Sequence, residues 1–78
     1  MKVRILSLRG VFFEGPATAL NVKTASGEVT ILPHHRPIIS LLTPGMLWYE
    51  VAGKRQEVPV SGGILEMNAR NELTVLVG

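Results

Sequence analysis

The residues best equipped for chemistry in this sequence lie together in "LPHHRPII", two adjacent imidazoles and a guanidinium between Pro33 and Pro37. A histidine pair raises the question of a metal. Zinc takes three or four ligands from Cys, His and carboxylates, and this chain has no cysteine and only two histidines. Consecutive residues of an extended segment point to opposite sides, so His34 and His35 do not share one ion, and Arg36 beside them repels a cation. No metal is expected. A hydrolytic triad needs a nucleophile, a base and an acid that orients the base. Ser7, Ser26, Ser40 and Ser61 are available, but the chain has no aspartate, and no serine stands in a nucleophile-elbow setting. The six glutamates are spread one per strand or turn, as solvated outer-face residues are. Ser61-Gly62-Gly63 lacks the lysine and the helix start of a phosphate-binding loop. Glycines in such a place mark a bulge or a close approach of backbones. No catalytic residue and no cofactor is therefore expected, and the chain does not read as an enzyme.

What the Pro33–Pro37 stretch offers instead is mechanical. Each proline fixes its own φ and drives the residue before it towards extended geometry. A loop so restrained loses little entropy on binding, which suits a docking surface. The flanking pairs Ile31-Leu32 and Ile38-Ile39 would anchor it to the core. An ordinary crossover between two sheets, with its histidines merely solvated, fits the residues equally well. On composition alone the two readings stand even.

The elements that must carry this loop have a period of two. Leu20 and Val22 alternate with Ala19, Asn21 and Lys23. Val29 and Ile31 alternate with Glu28 and Thr30. Leu73, Val75 and Val77 alternate with Glu72, Thr74 and Leu76. Each pattern reads as a strand with one buried face. Breakers recur between them at Gly10, Gly15-Pro16, Ser26-Gly27, Pro33, Pro44-Gly45, Gly53 and Asn71, leaving little room for a helix. One all-β domain over residues 1–78, a sandwich or barrel, follows. One hairpin is legible in detail, with Leu47, Tyr49 and Val51 answered by Val58 and Val60. A Gly53-Lys54 turn sets Glu50 against Glu57, a like-charge pair. An Ala52-Gly53 turn pairs Glu50 with Arg55 but asks Ala52 for a positive φ. Both registers remain open.

Bulk properties narrow the partners. At 78 residues the chain makes one small domain, for which support from an assembly is a natural stabiliser. The absence of cysteine fits a reducing compartment. Net charge is +2, from eight Lys and Arg scattered between Lys2 and Arg70, without the clustering that marks a nucleic-acid binder. The start, "MKVRILSLRG", is interrupted by Arg4 and Arg9 and does not read as a signal peptide. No run approaches the roughly 18 apolar residues of a membrane span.

Three stretches carry a resemblance. "VFFEG" is similar to an "xxFxG" opening, "GEVTILPHHRPIISLLTPG" to "GELGILPGHAPLLTxLKPG", and "VSGGILEMNARNELTVLV" to "VSGGFLEVxxNxVTVLA". Over essentially its whole length the chain resembles the N-terminal β-sandwich domain of the epsilon subunit of F-type ATP synthase, called delta in mitochondria. The resemblance implies a sandwich of about ten short strands in two sheets. It implies a non-catalytic rotor subunit of the central stalk, attached to the gamma subunit and the c-ring, which couples ion translocation to ATP synthesis. It implies no nucleic acid as partner, and a place in the F1 sector on the cytoplasmic face of a bacterial plasma membrane, held there only through the complex. Ser7, His35 and Ser40 match family positions facing gamma, and Glu28 matches the acid that faces the c-ring.

The departures are local. Family "PGHAP" reads here as Pro33-His34-His35-Arg36-Pro37, so His34 stands where a glycine is usual and would be strained at positive φ. The loop before Gly27 is shorter than the family's. The sequence ends at Gly78, where the family continues into a helical hairpin, so neither inhibition nor ATP binding by such a hairpin is expected. The alternative function is a diverged, stand-alone protein-binding sandwich that uses the same proline-framed loop. A small nucleic-acid-binding barrel ranks below it, with only Phe12, Phe13, Trp48 and Tyr49 as stacking candidates.

Overall fold

A computed structural model describes all residues, 1–78. It contains nine strands and no helix: β1 (Lys2–Ser7), β2 (Gly10–Pro16), β3 (Ala19–Thr24), β4 (Gly27–Ile31), β5 (Ile38–Leu42), β6 (Gly45–Val51), β7 (Lys54–Val60), β8 (Gly63–Met67) and β9 (Glu72–Val77). The all-β sandwich read from the sequence is correct, with nine strands in place of about ten. Eight lie on one hydrogen-bonded path, β2-β1-β9-β8-β5-β3-β6-β7, and the ninth, β4, pairs with the other flank of β3. The path curls back on itself. One layer is β2-β1-β9-β8-β5 and the other is β4-β3-β6-β7. A single residue pair, Thr24 with Leu42, joins them, supported by Thr43 N–H donating to Lys23 O at 3.0 Å.

Register follows from burying one face of each strand. Val3 and Ile5 lie beside Leu73 and Val75 in the parallel pairing of β1 with β9, and Leu65 and Met67 continue the row on β8. Opposite them stand Leu20, Val22, Ile31, Leu47, Tyr49 and Val58 from the second layer, and together these form one core. Each fully buried aliphatic side chain contributes about 1.5–3 kcal/mol relative to exposure. Phe13 on the edge strand β2 stacks on Tyr49 of the other layer, with centroids 4.4 Å apart, and closes one open side of the sandwich.

The hairpin takes the Ala52-Gly53 turn, with φ of 53° and 78°. These are the angles of a type I′ turn, whose twist matches that of the strands. Glu50 stands opposite Arg55 and Trp48 opposite Glu57, so the like-charge pair is avoided. The Arg55 guanidinium lies 3.8 Å from the Trp48 ring centroid and 4.0 Å from the Glu50 carboxylate. Gly63 is a close backbone approach: a Cβ there would collide with the carbonyl of Leu76, so only glycine fits.

Candidate functional site

An amphipathic strand in a two-layer sandwich normally turns polar residues outward. One row on the outer face of the five-stranded layer does not. Register places Val11 opposite Leu6, Leu6 beside Leu76, Leu76 opposite Ile64, and Ile64 opposite Leu41. Five apolar side chains from five strands thus form one row across the layer, about 19 Å long at the usual strand spacing. Leu41 is 72% exposed, Leu76 45% and Ile64 40%. Ile39, 67% exposed, lies beside the row on β5. At the other end a bulge between Ile5 and Leu6 makes Phe12 the extra residue of β2, and Phe12 and Leu8, both exposed, line a cleft with Pro59 and Val77 at the edge of the layer. The adjacent row is polar, with Glu14, Arg4, Thr74 and Glu66 in register and Ile39 at its end. A contiguous apolar patch with a polar rim is the form of a protein-docking surface.

The residues singled out in the sequence fall in three places. Ser7 and Ser40 each adjoin a member of the apolar row, on β1 and β5. Ser7 follows Leu6 and is tied into the β1–β2 turn, its Oγ accepting from Arg9 N–H at 3.1 Å. Ser40 precedes Leu41, but its side chain shares a face with Leu65 and points to the rim of the core. The outward neighbours Ile39 and Leu41 present the surface there. Glu28 is on the other layer, exposed, opposite Lys23 and next to the β3–β4 turn.

The Pro33–Pro37 loop lies at the opposite end of the sandwich from Glu28. His35 N–H donates to Leu32 O at 3.2 Å, closing a tight turn. His34 adopts φ of 65°, a left-handed conformation that is strained for a residue with a Cβ. Its N–H donates to Asn71 Oδ1 at 2.6 Å, fastening the loop to the β8–β9 turn. His35 is half-buried with Nδ1 2.7 Å from Arg36 O, whereas His34 and Arg36 are exposed. Nowhere do three His or Glu side chains converge.

Sequence reasoning overlooked the apolar row. Its signal was present: "IISLL", "GIL" and "TVLV" carry apolar residues at both parities, so Ile39, Leu41, Ile64 and Leu76 break the alternation that a solvated outer face would keep.

The family described as ATP synthase, Delta/Epsilon chain, beta-sandwich domain matches residues 1–78. This chain belongs to that family. It is 42% identical over 78 residues to the ATP synthase epsilon chain of Neisseria meningitidis serogroup C, covering 97% of this chain and 55% of the relative. The epsilon chain of Ruminococcus albus is 35% identical over 75 residues, with 96% and 56% covered. The chain thus spans about half the length of the curated relatives it matches. In fold it is similar to a chain of the Euglena gracilis mitochondrial ATP synthase, in an assembly of OSCP, F1 and c-ring, at TM-score 0.90 and 23% identity, covering 96% of this chain and 48% of that one. A chain of the central stalk and c-ring of the Tetrahymena thermophila mitochondrial ATP synthase gives TM-score 0.87 at 18% identity, covering 99% and 62%.

Proposed function

We propose that this sandwich is a non-catalytic part of the central stalk of a bacterial F-type ATP synthase, docked on the gamma subunit through the outer face of its five-stranded layer. The apolar row Val11-Leu6-Leu76-Ile64-Leu41 is the observation that carries this reading, because a contiguous exposed apolar patch rimmed by polar residues marks a protein-interaction site. Ser7 and Ser40 each adjoin a member of that row, and His35 lies on the gamma side at the far end of the same layer. Glu28, on the end that bears the β3–β4 turn, faces the c-ring. In this role the domain is a rigid coupling: it turns with the rotor and passes torque between the ion-translocating ring and the catalytic sector. It sits at the cytoplasmic face of the plasma membrane and reaches the membrane only through the complex.

The test is complex formation with the gamma subunit of the same genome, followed by size-exclusion chromatography and calorimetry. The chain should form a one-to-one complex. The double variant Leu41→Glu/Ile64→Glu should lose it by about a hundredfold or more, as central apolar anchors do, while keeping its thermal transition, since both side chains are already exposed. Glu28→Lys should leave gamma binding intact and weaken assembly with the c-ring. Undiminished gamma binding by the double variant would overturn the assignment of this face.

A further inference from the structure

The cationic residues are dispersed in sequence and collected in space. Lys2, Arg36, Lys54, Arg55 and Arg70, five of the eight Lys and Arg, lie at the end of the sandwich that carries the β4–β5 loop and the β6–β7 and β8–β9 turns, together with both histidines and the chain's amino group. Asn71 organises the centre of this end. Its side-chain oxygen accepts from His34 N–H at 2.6 Å, and its backbone oxygen accepts from Lys2 N–H at 3.1 Å. Arg70 precedes it in the turn. Met1, Lys2, Arg70 and Asn71 line one open cleft, in which Glu72 is the only acid. The carboxylates of this end are already engaged: Glu72 accepts from Asn68 Nδ2 at 2.7 Å, and Glu50 accepts from Thr18 Oγ1 at 3.1 Å beside Arg55. The cations around Asn71 have no such partner. The arrangement is also stiff, because His34 and Asn71 are both held at positive φ and bonded to each other.

We propose that this end of the sandwich is a second docking surface, which binds a run of consecutive carboxylates on a protein partner. Lys2, Arg70, Arg36 and His34 supply the donors, on a frame that needs no reordering to receive them. The choice of a protein segment rests on the reading of the chain as part of an assembly, and on one feature of the surface itself. Single-stranded nucleic acid needs aromatic faces on which bases stack. None is offered here: Phe12 lies at the bulge beside the apolar row, Phe13 and Tyr49 are stacked on each other, and Trp48 is covered by Arg55.

A fluorescent oligoglutamate peptide, titrated with the chain and followed by anisotropy at low and at physiological salt, tests the proposal. The peptide should bind, and more weakly as salt rises. Arg36→Gln/Arg70→Gln should weaken it at least about tenfold, whereas Arg4→Gln/Arg9→Gln, with the same loss of charge away from Asn71, should change it less than about twofold. Arg36→Lys/Arg70→Lys should keep most of the affinity, and Leu41→Glu/Ile64→Glu should not alter it. No binding at low salt, or equal loss in the two glutamine variants, overturns the proposal. Tighter binding of oligo-dT than of the peptide overturns it in favour of nucleic acid. A chain that binds gamma yet ignores the peptide refutes this inference alone, and a chain that binds the peptide but not gamma refutes only the docking of the apolar face.

Discussion

Asn21 shows what a single side chain contributes and costs in this sandwich. It lies on the outer side of β3, yet it is only 3% exposed, in register with Thr30 on one flank and Trp48 on the other. Its Nδ2 donates to Thr30 Oγ1 at 2.9 Å, while its Oδ1 is buried without a partner. An unsatisfied buried acceptor costs about 1–3 kcal/mol. Thr30 is exposed and can bond to water, so removing the amide strands nothing. Asn21→Val should therefore stabilise the chain by about 1 kcal/mol, raising the midpoint of thermal unfolding by several degrees. A fall in the midpoint on calorimetry would show that the amide has a donor in solution. The alternation that identified β3 in the sequence put Asn21 outside, and it is outside; that Trp48 and Thr30 would close over it depended on two neighbouring strands.

At the scale of elements, the β6–β7 hairpin weighs two comparable terms. Placing Glu50 against Glu57 would cost a few tenths to about 1 kcal/mol, and placing Ala52 at positive φ costs about 1–2 kcal/mol. Local chemistry alone left this register undecided. In the fold, Arg55 stacks on Trp48 and approaches Glu50, and Thr18 bonds to Glu50 from β3's side, so the tertiary neighbours choose the Ala52-Gly53 turn. The strain at Ala52 remains. Asparagine tolerates the left-handed region far better than alanine, so Ala52→Asn should gain about 0.5–1 kcal/mol in denaturant unfolding with an unchanged slope. No gain would mean that the turn relaxes away from type I′ geometry in solution.

The molecule as a whole is closed by its two ends. β1 and β9, from opposite ends of the chain, form the parallel pair at the centre of one layer, and they carry Val3, Ile5, Leu73 and Val75, each at most 1% exposed. The five-stranded layer cannot form without both. β4 and β7 are free edges, each paired on one side only. Native-state hydrogen exchange should accordingly show β1 and β9 amides opening only with global unfolding, and β4 and β7 amides opening at lower free energy. Protection of β4 equal to that of β9 would mean that the two layers unfold as one unit. The same closure builds the proposed docking face, since Leu6 and Leu76 become neighbours only when the chain's ends meet.

Near neighbours along the chain were enough to reveal the period-two strands, the breakers between them and the proline-framed loop; that His34 stands where a glycine is usual came from the resemblance, and its positive φ only from the structure. The tertiary structure decided what depends on pairing between distant strands. It assembled a row of five apolar side chains from five strands, and it gathered around Asn71 cations that looked scattered along the chain. The physical reason is the same in both cases. A strand's pattern states which of its residues share a face, but only hydrogen-bonded register states which faces of different strands lie side by side.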